Sequence, residues 1–172
     1  MKILIISTGG TIDSGLDYNQ NEEYIYRPGS KSMVKTYIEK LVNPDIVIDE
    51  VAICLLDSAD ITDEVRDDIV RAIHSSITDN IIITHGTDTM VQTGKYLAKS
   101  LVGSQKRIIL VGSFYPLLFA QNDAGFNLGF AFGQIQHLAS GVYIAMNATV
   151  FDVDKVEKDR NLLRFVPINF II

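Results

Sequence analysis

The sequence predicts an α/β fold: a single domain, 1–172, with a mostly parallel sheet and helices on both faces, arranged as a Rossmann-like three-layer sandwich. Five short apolar runs rich in β-branched residues, 2–7, 46–55, 80–84, 107–111 and 141–146, have the length of buried strands. Segments with helical spacing alternate with them, which is the order of βαβ units around a parallel sheet. The 172 residues suffice for one substantial core and are too few for two, and no repeat, low-complexity tract or Pro-rich linker marks a boundary.

The first run turns polar at Thr8 and glycine-rich at Gly9 and Gly10. Helical spacing over 31–42 places Val34, Tyr37, Ile38 and Leu41 on one face. From 62 to 75 the apolar set is Val65, Ile69, Val70 and Ile73, while Asp63, Glu64, Arg66, Asp67, Asp68 and Arg71 read as a solvated face. Asp60 or Thr62 is the expected cap of that helix. The third run ends in Thr84-His85-Gly86-Thr87-Asp88-Thr89, and a helix carrying Met90, Val91, Leu97 and Leu101 follows and stops near Gly103. A last helix over 123–138 has Phe126, Phe130 and Ile135 as expected core contacts, and its glycines suggest close packing on the sheet.

Two connections are long. Segment 13–29 is polar and acidic, holds Tyr18, Tyr24 and Tyr26, and follows a strand tip directly, where a loop of this length serves as a lid. Segment 147–161 reads as a charged surface connection. The apolar tail 162–172, with Pro167 in it, is expected to be an edge strand or a contact with another subunit.

Composition narrows the function. Hydrophobic residues make up 47% and charged residues 21%, as in globular proteins, and the net charge of −6 with scattered basic residues argues against nucleic acid and anionic membrane as partners. Cys54, the only cysteine, lies in an apolar run and is expected to be a buried inert thiol. The apolar start 1–6 is too short for a signal peptide and no run approaches a bilayer span, so a reducing, cytoplasmic location is expected.

In an open parallel sheet, ligands bind beyond the carboxyl ends of the strands. Here those ends carry Thr8 to Thr11, Asp57 to Asp60, His85 to Thr89, and Ser113. Thr11, Ser58, Thr87 and Asp88 therefore converge on one crevice, with backbone N–H groups exposed by Gly9, Gly10 and Gly86. Helix capping is the competing explanation for Thr87 and Asp88. Hydroxyl nucleophiles beside N–H donors point to acyl transfer, and no Cys and His cluster offers a metal site or calls for a cofactor. Threonine needs a base, for which a buried lysine held by a carboxylate is suited, and the composition does not single one out. His85, with no orienting partner in sequence, is expected to be structural. The spacing of a phosphate-binding loop is absent.

Thr8-Gly9-Gly10-Thr11-Ile12 after a first strand, paired with Ile83-Thr84-His85-Gly86-Thr87-Asp88-Thr89-Met90, resembles the two signature motifs of the bacterial-type L-asparaginase family, which includes glutaminases. Asp57-Ser58-Ala59-Asp60, Val111-Gly112-Ser113, Asp123 to Leu128 and Met146 to Val150 extend the resemblance over nearly the whole chain. It implies hydrolysis of L-asparagine to L-aspartate and ammonia, with weaker action on glutamine. Thr11 would be the nucleophile, activated by a lid tyrosine, Tyr24 ahead of Tyr26. Thr87, Asp88 and a lysine, Lys158 ahead of Lys155, would form a second cluster. Ser58 and Asp88 would hold the α-groups of the substrate, backbone N–H groups near Gly10 and Thr87 would face the oxyanion, the Ser113 carbonyl would receive the leaving amide, and Gly86 would be among the substrate-binding residues.

Two departures stand out. Members are usually about twice as long, with a second domain that completes the site across a dimer and supplies an acidic group; here that group must come from elsewhere. Ala59 stands where many members have a glutamine, and losing a contact to a charged group costs about 1.5–3 kcal/mol. Weak binding is expected, and so is a homo-dimer or homo-tetramer. The alternative function is a non-catalytic amino-acid-binding or regulatory module derived from such a domain.

Overall fold

The computed structural model describes residues 1–18, 24–29 and 31–168, without side chains in 16–18 and 24–28. Strand β1 (Lys2–Gly9) is followed by a hairpin, β2 (Ser14–Tyr18) and β3 (Tyr24–Pro28). Helix α1 (Val34–Ile38) leads into β4 (Val47–Leu56), α2 (Asp63–Ser75) into β5 (Asn80–Thr84), and α3 (Met90–Ser100) into β6 (Arg107–Val111). Helix α4 (Ala124–Gln134), prolonged by a 3-10 turn over Ile135–His137, leads into β7 (Gly141–Met146). Strand β8 (Thr149–Asp152) folds back on β7, and β9 (Val156–Asp159) and β10 (Arg164–Pro167) form a last hairpin.

The main sheet has the order β4-β1-β5-β6-β7-β8, parallel except for β8. Its centre is a block of isoleucines: Ile3, Ile5, Ile6, Ile81, Ile82, Ile83 and Ile109 are fully buried. Strands covered on both faces have no reason to alternate, which is why each reads as a continuous apolar run. All five runs named from the sequence are strands, and the fold is α/β. Because β4 flanks β1 on one side and β5 on the other, the chain changes direction between β1 and β5. The loops leaving those two strands diverge and open a crevice at their tips. Gly10 lets the two tips touch: a Cβ there would lie 2.3 Å from the Gly86 nitrogen, and its φ of 81° disfavours any other residue.

Several expectations are corrected. Helix α1 ends at Ile38, so Leu41 falls beyond its periodicity and is 64% exposed. On α4 the buried stripe is Ala124, Asn127, Leu128, Ala131 and Phe132, an i, i+3, i+4 pattern that excludes Phe126, which is 61% exposed. Its glycines are not the packing face either. Gly129 and Gly133 look onto open space, and only Gly125 is close, to the Tyr37 hydroxyl. Arg66 leaves the solvated face of α2: it is 3% exposed, and its Nε donates to Thr93 Oγ1 at 3.1 Å while its other end pairs with Asp63. Thr62, not Asp60, caps α2, accepting from the Val65 N–H at 3.4 Å.

Segment 13–29 is largely a hairpin instead of a loop, paired from Ser14 with Pro28 to Tyr18 with Tyr24 and closed at its base by the Gly29 N–H on the Asp13 carbonyl. Segment 147–161 is likewise structured. Asn147 and Ala148, at φ of 54° and 59°, form a two-residue turn that sends β8 back along β7. Ala148→Gly relieves a left-handed alanine and is expected to stabilise the fold by about 0.5–1 kcal/mol, read as a raised thermal midpoint. In the tail, β10 pairs antiparallel with β9 and Pro167 ends it; residues 169–172 lie outside the described ones.

Candidate active site

Strand β5 delivers Thr87 and Asp88 to the crevice, and their side chains do not cap the following helix. The N-cap of α3 is Thr89, which makes no side-chain cap bond; its hydroxyl donates to the Ser58 carbonyl at 2.6 Å. Thr87 and Asp88 instead meet a lysine from far along the chain. Lys158 Nζ donates to Thr87 Oγ1 at 2.7 Å and to Asp88 Oδ1 at 2.6 Å. Only 13% of the Lys158 side chain is exposed, and its ammonium lies 5.4 Å from the Phe114 ring centroid. Lys155, the other candidate, is 80% exposed and pairs with Asp152.

A relay of two amides, the buried Asn127 and the exposed Asn147, fixes the strand that carries Lys158. Asn127 on α4 donates from Nδ2 to the Gly112 carbonyl at 3.1 Å, and its Oδ1 accepts from the Asn147 N–H at 3.2 Å. Asn147 Oδ1 in turn accepts from the Phe165 N–H at 3.2 Å, and Phe165 is the cross-strand partner of Lys158. Asp123 accepts from the Phe114 and Tyr115 N–H groups, holding the loop whose ring faces the lysine. Asn127, Asn147 and Asp123 were not among the residues the sequence singled out for a role. Their signal is an amide on an otherwise apolar helix face and an asparagine at a left-handed turn.

On the β1 side, Thr11 opens a short 3-10 turn, Thr11–Asp13, directly after Gly10. The Thr8 hydroxyl donates to the Thr84 carbonyl at 2.6 Å, tying the two strand tips together. The Gly10 N–H is bonded to the Leu56 carbonyl at 2.8 Å, so of the backbone N–H groups near Gly10 that one is already engaged. Ser58 is buried at the β4 tip, and a Cβ on Gly86 would fall 2.7 Å from its Cβ, so Gly86 is what lets those tips approach. Ala59 is exposed and its N–H is taken by Asp57 Oδ1 at 2.9 Å. The buried Ser113 hydroxyl donates to the Tyr115 carbonyl at 2.6 Å. Tyr24 has its backbone in β3; its side chain, like that of Tyr26, lies outside the described ones.

Electrostatics separates the polar groups. The hydrogen bond from Lys158, with the charges of Lys158 and Arg160, holds the Asp88 carboxyl below the usual range. Asp13 is the opposite case: burial pushes its carboxyl up, against hydrogen bonds from Ser32, the Met33 N–H and Thr84. It closes the base of the hairpin two residues from Thr11. His85 is fully buried, its Nδ1 is 2.8 Å from the Gly86 carbonyl and its Nε2 has no hydrogen-bond partner among the described residues. Burial lowers its pKa from 6.5 to about 4. Cys54 is half-buried instead of buried, donates weakly to the Thr8 carbonyl, and has its thiol pushed up by desolvation.

Fold and site together define a class: a parallel α/β domain that gathers threonine hydroxyls, a lysine amine and a carboxylate at the switch point of its sheet. The comparisons specify it further. Residues 2–163 match the family model described as Asparaginase, N-terminal, and the chain belongs to that family. It is 31% identical over 181 residues to L-asparaginase 2 of Escherichia coli, covering 98% of this chain and 50% of that protein. The solved thermostable L-asparaginase from Thermococcus kodakarensis is similar at a TM-score of 0.78 and 28% identity, over 99% of this chain and 52% of that one. A structure titled probable cytoplasmic L-asparaginase from Campylobacter jejuni gives a TM-score of 0.75 and 27% identity, over 98% and 53%. The chain thus spans about half the length of these relatives. Among the described residues no helix is long and apolar enough to cross a membrane.

Proposed function

We propose that the chain is an L-asparagine amidohydrolase that forms L-aspartate and ammonia through an acyl-enzyme ester on threonine. The observation that carries this is the Lys158 amine hydrogen-bonded to both Thr87 and Asp88 beside the turn that bears Thr11. Thr11 Oγ adds to the side-chain amide carbon while its proton passes to Tyr24, the role the family resemblance gives that residue. The carbon–nitrogen bond breaks, ammonia departs with a proton, and the acyl group stays on Thr11. Water then adds to the ester as its proton passes through Thr87 to the neutral amine form of Lys158, which Asp88 holds in place; the ester carbon–oxygen bond breaks, Thr11 regains a proton and aspartate leaves. In this reading backbone N–H groups near Gly10 and Thr87, other than the bonded Gly10 N–H itself, meet the oxyanion. Glutamine is the weaker substrate in this reading.

The same reading makes segment 13–29 the lid and 1–172 one catalytic domain. It holds the protein to be a cytoplasmic homo-dimer or homo-tetramer, without nucleic-acid or membrane partners, in which a neighbouring copy can supply the acidic group that longer relatives carry in their other half. Ammonia release from asparagine by the purified protein tests it. Thr11→Ala and Thr87→Val are each expected to lower kcat roughly a hundredfold or more. Thermal stabilisation by asparagine or aspartate without any ammonia would replace this reading with that of a binding module.

A further inference from the structure

Arg160 has no part in the roles assigned so far, yet it reaches the centre of the cluster. It sits in the turn between β9 and β10, where Asp159 Oδ1 accepts from the Asn161 and Leu162 N–H groups and fixes the backbone. Its guanidinium extends to Asp88, with NH1 3.3 Å from Oδ1, the same oxygen that receives Lys158. The side chain is 72% exposed, so it stands at the rim of the crevice, with donors beyond the one used on Asp88. At Asp88 Oδ1 two cations thus share one carboxylate oxygen.

The cation below it is already engaged: Lys158 is nearly buried, with its ammonium on Thr87 and Asp88. Across the crevice, Ala59 has no polar side chain and its N–H is bonded to Asp57. The β4 tip therefore offers Ser58 but no side-chain contact at position 59, while the β9–β10 turn adds a planar, permanently charged group. A guanidinium held next to a carboxylate presents a plus and a minus to the solvent, which is the complement of the charged end of an α-amino acid.

From this geometry we infer that Arg160 is a substrate-binding residue that holds the free carboxylate of the amide substrate, so that the site takes ω-amides of carboxylic acids and rejects the same amides with that carboxyl blocked. The inference rests on the amide-hydrolase reading and deepens it. Arg160 supplies from the turn after Lys158 a charged contact that Ala59 does not offer. It acts on binding and not on the chemical step, because among the described residues its link to Thr87 runs through Asp88.

The test compares the intact protein with Arg160→Gln and Arg160→Lys, using asparagine, asparagine α-amide and, for binding alone, aspartate. Expected for Arg160→Gln is a roughly ten- to hundredfold higher KM for asparagine with kcat within about threefold, and partial recovery in Arg160→Lys. Loss of the preference for asparagine over its α-amide in Arg160→Gln also supports the assignment. A fall in kcat at unchanged KM overturns it and leaves Arg160 as a brace for Asp88. Calorimetric titration with aspartate needs no turnover. If the protein releases no ammonia but Arg160→Gln still weakens aspartate binding, the hydrolase reading fails and this one stands; equal aspartate binding overturns it.

Discussion

Lys158→Met is expected to lower kcat for ammonia release from asparagine by roughly two to four orders of magnitude, the range seen when a positioned general base is lost. Folding is expected to survive. The methionine stem still fills the space beside Phe114, and Asp88 keeps its contact with Arg160. Lys158→Arg sharpens the result, because a guanidinium preserves the charge next to Asp88 but cannot accept a proton from Thr87. Both variants should be comparably slow in single-turnover assays while melting near the parent protein. An arginine variant with near-parental activity would mean that Lys158 contributes charge alone, and a fully active methionine variant would remove it from the mechanism.

The second large effect concerns stability. His85 is neutral in the folded protein down to about pH 4, whereas its unfolded value is 6.5. Its folded pKa is depressed, so the unfolded chain binds the extra proton first on acidification. The stability that depends on a neutral His85 is present above pH 6.5 and is lost progressively as pH falls toward 4, up to about 3 kcal/mol. His85→Gln retains an amide that can donate to the Gly86 carbonyl and removes the titration. Urea unfolding of both proteins between pH 7 and pH 4 is the measurement. The parent should lose about 3 kcal/mol more than the variant across that window. Asp13 acts with the opposite sign, its raised carboxyl favouring the folded state at low pH, and Asp88 loses its contribution only as pH falls through a value below the ordinary one. Both are shared by the two proteins, so they cancel in the difference. Parallel stability curves would show that burial does not keep the ring neutral.

Helix capping and catalysis make the same demand on sequence at a strand–helix junction, namely small polar residues, so Thr87 and Asp88 were ambiguous until Thr89 was found at the N-cap and Lys158 on the other two. Arg66 and Phe126 misled for a related reason. A charged residue on an amphipathic helix and an aromatic residue on an apolar one usually follow their type, but the next layer decides, and here Thr93 receives the arginine while Asn127 takes the inward position that Phe126 was given.

Taken by itself, the sequence determined the order of strands and helices, the parallel sheet and the family, because buried parallel strands must be continuously apolar and the threonine motifs are local in the chain. Tertiary structure alone decided which lysine stands at Thr87, that Arg160 joins it, that Gly10 turns its N–H to Leu56, and that segments 13–29 and 147–161 contain strands. The first three depend on contacts between residues far apart in the chain, whereas the strands of the two segments pair largely with near neighbours whose polar sequence carries no apolar alternation. Lys158 is 71 positions from Thr87 and is aimed there by a hairpin held through Asn147 and Asn127; the turn sets the register within that hairpin, but only long-range packing sets where the hairpin docks.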